Sequence, residues 1–379
     1  MNDKLMKYYD VVIVGAGIVG LAHAYWAAKK GLTVLVVEKN NRCIGASVRN
    51  FGLFWPIGQD ETVNLPLAKV SAKVWQEFFK DTGNWNKTSG SLGLVHHQDE
   101  LQLIHEFIAQ QNNHRFSLLS PVETLEVCPE VRPNRLMGSL YSGEEITINS
   151  RETLPNLINW LQEKYGVDAI FGTQVLSLEL PEVITNKGVF CAKKVILASG
   201  AEFETLYPEV YKSAHVTKCK LQMLKGVPPT TKWIGPALYS ATSFIHYPSF
   251  ANCPSLKQIT RRIKKNHPEL IKYGINLLVA QNNYGELILG DSHEYGDETE
   301  PFNKELINQL ILKGIQQLID LKDVEIVERW SGTYAKSTVG EPYFIHKPTE
   351  NVLIVNALGG AGMTISFGLA EKNCATFFS

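Results

Sequence analysis

DVVIVGAGIVGLAHAYWAAKKGLTVLVVEK, residues 10–39, is the stretch from which the chain is read. Residues 11–14 are a β-branched apolar run of the kind that parallel sheets bury. Gly15, Gly17 and Gly20 then spell G-x-G-x-x-G, residues 21–29 carry a helix, and residues 33–37 form a second buried strand ending on Glu38. Gly15 permits the tight turn, Gly17 lets a pyrophosphate approach the backbone, and Gly20 lets the helix lie close to the strand. The helix N-terminus offers N–H groups and a partial positive charge to phosphates, and Ile18 and Val19, between the glycines, are counted among the cofactor-binding residues. Glu38, followed by Lys39, is placed to accept hydrogen bonds from both ribose hydroxyls, which disfavours a 2′-phosphate. A lone G-x-G-x-x-G is weak. Strand before, helix after and acid at this distance make it a dinucleotide site.

The rest of the composition is bland. A chain of 379 residues exceeds the size at which one core keeps growing, so two domains are expected. Hydrophobic and charged shares of 44% and 20% are those of an ordinary globular protein, and a net charge of −1 gives no reason to expect nucleic acid. Six cysteines (Cys43, Cys128, Cys191, Cys219, Cys253, Cys374) show no C-x-x-C and no metal spacing, which suits reduced thiols in a cytoplasmic protein without a metal. Lys4 and Lys7 ahead of an apolar run mimic a leader or a membrane span. Asp10, the three glycines and His23 argue against both.

Further along, residues 46–59 (ASVRNFGLFWPIGQ) are dense in Gly, Pro and aromatics and read as a loop that touches a ligand. Helices are expected over 62–81, 100–111, within 120–131, over 151–165 with Ser150 as cap, at 255–267 and at 304–321. Strands are expected at 90–96, 136–141, 145–148, 167–172, 175–180, 189–191, 194–201, 238–247, 274–281, 286–291, 324–330 and 352–356. The basic run 261–265 reads as a solvated helix face. Parallel βα signals at the start, middle and end make the nucleotide-binding domain discontinuous (1–88, 145–218 and 326–379). The strand-rich pieces 89–144 and 219–325 form a second, α+β and mostly antiparallel domain for substrate. The fold class is thus α/β, a Rossmann-like domain joined to a substrate domain.

Together, G-x-G-x-x-G…Glu38, residues 195–200 (VILASG) and the terminal residues 356–364 (NALGGAGMT) resemble the D-amino-acid oxidase family over essentially the whole chain. That family includes FAD-dependent glycine and sarcosine oxidases. Residues 47–59, 221–223, 246–248, 290–294 and 360–368 are similar to a subgroup associated with phosphonate breakdown and proposed to oxidise aminophosphonates of the 2-aminoethylphosphonate type. The resemblance implies noncovalent FAD, with Gly15, Gly17 and Gly20 at the pyrophosphate and Glu38 at the ribose. Val175 would meet adenine. Ser47, Arg49 and Asn50, with Phe51 and Gly52 behind them, would lie along the pyrophosphate and flavin edge. Ser199 and Gly200 would pass the ribityl chain. Gly360, Ala361, Gly362, Met363 and Thr364 would face the flavin pyrimidine, where the terminal helix aims N–H groups at charge that develops on reduction.

One departure bears on substrate. Amino-acid oxidases of this family carry an arginine that grips the substrate carboxylate as a bidentate pair; in residues 330–336 (WSGTYAK) Tyr334 stands there. An ordinary α-amino acid is therefore disfavoured, and Arg49, Lys336, His246 and His293 become the candidate grip for a phosphonate. Each has a plainer reading: FAD phosphate for Arg49, a surface lysine for Lys336, a core histidine for His246 and a turn residue for His293. The expected chemistry is hydride transfer from a small primary or N-methylated amine to the flavin, imine hydrolysis to an aldehyde, and reoxidation by O2 or another acceptor. Tyr334, His246 and His293 would orient the amine or drain a proton. The alternatives are a glycine- or sarcosine-like oxidase or dehydrogenase, an FAD-bound redox sensor or assembly subunit, and an NAD-binding protein. No membrane span is expected, and the oligomeric state is open.

Overall fold

The computed structural model describes residues 7–111, 115–229 and 233–379; Lys4 lies outside them. Strand β1 (Tyr8–Val14), helix α1 (Ile18–Lys29) and strand β2 (Val34–Val37) form as the opening motif requires. Val12 is in register with Leu35 on one side and Val195 on the other, which makes β1 an inner strand. Its apolar run is continuous, not alternating, because both faces are covered. β3 (Gly188–Leu197) lies parallel beside β1, and β4 (Val352–Asn356) lies parallel beside β3. Asp168–Ile170 lies parallel beyond β2. The antiparallel strands Val175–Glu179, Glu182–Thr185 and Phe344–Thr349 complete an eight-stranded sheet.

One face of this sheet packs against α1, the helices Asn64–Thr82 and Ser150–Tyr165, and α2 (Gly362–Phe377). Tyr25 stacks on Trp160 at 5.5 Å, while Phe367 meets Trp75 and Tyr25 edge-on. Burying each such ring contributes about 1.5–3 kcal/mol, so the first and last helices are held together chiefly by this cluster. Trp26 and Trp75 add indole N–H bonds to the carbonyls of Phe367 and Met363, at 2.7 and 3.0 Å. At Gly368 a Cβ would stand 2.2 Å from the Leu67 carbonyl oxygen, so α2 crosses its neighbour in backbone contact.

A nine-stranded, mostly antiparallel sheet makes the second layer. Val216–Val227 pairs with Leu287–Gly290, with Glu294–Gly296 and, along nearly its whole length, with Glu325–Ser337. Leu53–Phe54, Asn86–Thr88 and Ile146–Ile148 form a small antiparallel three-stranded sheet.

Several expectations are corrected. The run 238–247 is not one strand: Ala237–Tyr239 is followed by the helix Ala241–His246, capped by Ser240 accepting from the Thr242 N–H. The cap at 150 is Asn149, while Ser150 donates to Asn50 Oδ1 at 2.7 Å. The helix expected to reach 321 stops at Ile315. Arg262 is not solvated but forks onto Asp99 and reaches Glu100, at 2.6–3.0 Å. Glu325–Ser337, which spans the expected divide at 325/326, is hydrogen-bonded into the second sheet. The boundary at 218/219 falls inside Val216–Val227. We propose that the divides lie just before Val216 and just after Ser337.

Candidate functional site

β1, β3 and β4 end at the same sheet edge, where parallel sheets of this kind bind ligands. A cavity of about 490 Å³ opens there. Glu38, Lys39 and Val175 line it, as do the turn residues Gly15 and Gly17 and the first-turn residues Ile18 and Val19. Ser47, Arg49, Asn50 and Phe51, Ser199 and Gly200, and Gly360, Gly362 and Met363 follow, and then Tyr334, His246 and His293. The opening motif, the loop after β2 and the turn before α2, far apart in sequence, thus share one wall.

At the first end the geometry is that of a dinucleotide cradle. Gly15 has φ +105°, and a Cβ there would lie 2.4 Å from the Ala198 carbonyl oxygen, so β1 and β3 approach as only glycine allows. The Glu38 carboxylate accepts from Ala16 N at 3.0 Å and from Asn40 N and Nδ2 at 2.9 and 2.7 Å. About one of its four lone-pair directions is left, so it has room for one ribose hydroxyl where two were expected. Ser47 Oγ accepts from Ile18 N at 3.0 Å and thereby occupies one donor of the α1 N-terminus. At Gly200 and Gly360 a Cβ would meet nothing within 4 Å; bare backbone faces the open space there. Bare glycines, a helix N-terminus and an acid with an acceptor direction to spare are what an extended, phosphate-containing cofactor needs.

The far end is walled by both sheets. Arg49 donates from Nη1 to the Ser331 carbonyl at 3.0 Å, and Trp330 Nε1 donates to the Arg49 carbonyl at 3.2 Å. Gly332 makes this approach possible, since a Cβ there would stand 3.3 Å from Arg49 Cβ. Register places Tyr334 opposite Cys219, and both are buried. Burial pushes the Tyr334 phenol well up, so it stays neutral. His246 ends the helix Ala241–His246, and its ring centre lies 4.2 Å from that of His293, the planes tilted by 34°. Burial, then the neighbouring His293, holds His246 well below the ordinary histidine range, so it too is neutral. Tyr247, Asn276 and Asp291 complete this end.

Residues 10–374 match the family model described as FAD dependent oxidoreductase (DAO). The chain belongs to this family of FAD-dependent oxidoreductases. It is 25% identical over 359 residues to an opine oxidase subunit of Rhizobium meliloti, covering 89% of this chain and 85% of that one. It is 22% identical over 404 residues to a sarcosine oxidase β-subunit of an Arthrobacter species, covering 98% and 89%. Among solved structures, glycine oxidase from Geobacillus kaustophilus superposes with a TM-score of 0.76 at 20% identity, covering 97% and 94%. L-proline dehydrogenase from P. horikoshii reaches 0.79, also at 20% identity, covering 98% and 94%.

Within this FAD-dependent fold, five expected residues stand off the cavity wall. Gly20 acts through packing: its Cβ would lie 1.9 Å from the Gly15 carbonyl oxygen. Gly52, at φ +72°, lets the loop pass the Ile148 carbonyl. Thr364 Oγ1 accepts from Trp55 N at 3.0 Å, and Ala361 belongs to the turn before α2. Lys336 puts Nζ 3.2 Å from the Tyr295 hydroxyl and over its ring. Asn50 lines the cavity, but its side chain is spent on Ala46 O, Ser47 O, Gly52 N and Ser150 Oγ, so it braces the loop.

Sequence reasoning missed Asp291, Asn276 and Tyr247. The acid two residues before His293 was the available signal for the first. Among the described residues no three His, Cys, Asp or Glu side chains gather to hold a metal. None of the helices described is long and apolar enough to cross a membrane.

If Glu38 meets the ribose, Glu38→Ala removes that acceptor and leaves Ala16 N without its carboxylate. FAD binding should weaken by about 1–3 kcal/mol, roughly 5- to 150-fold. FAD retained on exhaustive dialysis measures it, and unchanged retention would remove Glu38 from the cradle.

Proposed function

We propose that this chain oxidises a small primary or N-methylated amine. An aminophosphonate of the 2-aminoethylphosphonate type is the first candidate, and a glycine- or sarcosine-like acid the second. The carrying observation is the make-up of the far end of the cavity. Asp291, Asn276, Tyr247 and Tyr334 line this end together with the two adjoining histidines, and among the described lining residues only Arg49 and Lys39 are lysine or arginine. Lys39 neighbours Glu38 at the nucleotide end. Arg49 is therefore the one lasting cation for an anion on the substrate, with one of its five N–H groups on Ser331 O and the others left to face it. Tyr334 offers a neutral phenol where related amino-acid oxidases have a second cation, which weighs against a carboxylate on the reacting carbon.

When bound, FAD supplies a two-electron acceptor for hydride from the amine carbon, and water then converts the imine to an aldehyde and ammonia or methylamine. The chain's own part is to hold the amine against Asp291, Asn276 and Tyr334 and the anion against Arg49, fixing which C–H faces the flavin. FAD is held without a covalent bond in this reading. Cys43 Sγ sits 3.1 Å from the Ala16 carbonyl at the nucleotide end, with its thiol pushed up to about 12 by burial and then by the Glu38 charge. Cys374 is buried among α1 and α2 residues, beside His23 O.

A panel of 2-aminoethylphosphonate, its N-methyl form, glycine, sarcosine and D-alanine, added without oxygen to the purified flavoprotein, tests the proposal. The phosphonates should bleach the flavin fastest. Bleaching by the amino acids alone would transfer the reading to the second candidate. No bleaching by any amine would favour the redox sensor or assembly subunit.

A further inference from the structure

His293 and Asp291 form a pair whose protonation the surrounding backbone constrains. His293 Nδ1 lies 2.8 Å from the Gly274 carbonyl oxygen, which only accepts, so Nδ1 carries a hydrogen. The other ring nitrogen, Nε2, faces Asp291 Oδ2 at 3.5 Å. Asp291 Oδ1 accepts from Asn276 Nδ2 at 3.0 Å, and Asn276 Oδ1 accepts from Ser243 Oγ at 2.6 Å. Asn276 and Asp291 also exchange backbone hydrogen bonds, which keeps the Asn276 amide beside the carboxylate. With Nδ1 protonated, a carboxylate and an imidazole lone pair would confront each other unless one further proton sits between them. Both side chains are about 95% buried, which makes the unprotonated arrangement costly.

We propose that Asp291 and His293 act as one proton acceptor: the pair, having given its single exchangeable proton to water, takes in its place the proton that the substrate ammonium must lose before oxidation. This rests on the amine-oxidation reading above. An ammonium N–H bond breaks, an O–H bond at Asp291 or an N–H bond at His293 Nε2 forms, and the nitrogen lone pair becomes free. When hydride then leaves the neighbouring carbon with its two electrons for FAD, that lone pair closes the C=N bond. The proton returns to water before the next turnover.

The groups around the pair fit this duty. Tyr247, Tyr295, Tyr334 and Cys219 are neutral, and burial raises all of them. His246, its ring centre 4.2 Å from that of His293, is neutral and opposes a permanently charged imidazolium. Of the charged groups whose fields lower Asp291, His293 acts more strongly and Lys336 more weakly. Burial raises Asp291, the direction a proton acceptor needs.

Two readouts test the proposal. With nitrogen-15 in the histidines, the His293 Nε2 resonance is followed between about pH 5 and 9 in the FAD-loaded protein and in Asp291→Asn. Loss of the carboxylate should make Nε2 protonation require a proton concentration at least about ten times higher. Identical titration in the two proteins would overturn the pair. The second readout is the anaerobic bleaching rate with whichever amine reduces the wild-type flavin. Asp291→Asn should be slower by about 100-fold near neutrality and recover as pH rises toward the amine's own pKa, where free base is supplied from solution. A loss that is equal at every pH would mean that Asp291 only shapes the cavity. Should Asp291→Asn not fold, His293→Gln should give the same pH-dependent recovery. If no amine bleaches the wild type, the functional reading fails while the nuclear resonance still decides the pair.

Discussion

Gly20→Ala should unfold the nucleotide end of this protein at markedly lower denaturant and strip it of FAD. The added methyl would lie 1.9 Å from the Gly15 carbonyl oxygen and 3.2 Å from Ile13 Cγ2. The first of these is backbone, which no rotamer change relieves. α1 would have to lift from β1, and β1 is locked on both sides by β2 and β3. Overpacking of this kind costs about 1–3 kcal/mol where side chains move, and more where only backbone is available to move. Lifting α1 also carries Gly17 and Val19 out of the cavity wall, so cofactor and stability fall together. Gly360→Ala is the control: its Cβ would meet nothing within 4 Å, so the fold should keep its denaturant midpoint while FAD affinity drops. Urea unfolding of the FAD-free proteins, beside FAD titration, separates the two effects. Equal midpoints for wild type and Gly20→Ala would show that helix and strand have slack that the geometry denies.

The second large effect belongs to Glu145, a carboxyl with no exposure and no cation beside it. Ser142 Oγ and Ile57 N donate to Oε1 at 3.0 and 3.2 Å, and Ser91 Oγ donates to Oε2 at 3.0 Å. Three neutral donors do not repay the desolvation of a charge, and burial pushes this acid up to about 7 from 4.5. Because the folded pKa is the higher one, the native state holds a proton there that the unfolded chain releases. The stabilising contribution is complete below about pH 4.5 and is lost as pH rises through about 7, a total of roughly 3 kcal/mol. Glu145→Gln mimics the protonated acid: its oxygen accepts from Ile57 N, and its amide donates to Ser91 Oγ. The variant should be more stable than wild type by up to about 3 kcal/mol above neutrality and no more stable near pH 5. Denaturant midpoints across that range measure it. A constant difference between the two proteins would mean that Glu145 does not titrate in the fold.

What the sequence discloses and what it hides divide along physical lines. The β1–Gly15–α1–β2 unit and the β4–Gly360–α2 unit are local, each with its own strand, glycine turn and helix, and both are legible because the motif and its context lie within 30 or so residues. The cavity that joins them follows from parallel strand order alone. The substrate end is different. His293 gains its meaning from the Gly274 carbonyl and Asp291 from Asn276, and these contacts exist only after 274–276 folds back on 290–293. Residues 241–247 (ATSFIHY) look like a strand because Ile245, Phe244 and Tyr247 favour one, yet the Ser240 cap and the packing of Phe244 against Tyr239 and Phe250 turn them helical. Lys336 fits the pattern of an anion grip, but its ammonium lies against Tyr295 instead.

The position of FAD in the crystalline holoprotein tests the central claim most directly. The account predicts adenosine against Glu38 and Val175 and pyrophosphate on Gly15 and Gly17. The isoalloxazine should lie between the Arg49 loop and the Gly360–Met363 turn, one face open toward Tyr334, Asp291 and His293. An isoalloxazine turned away from those three side chains, with the far end of the cavity sealed behind it, would contradict it.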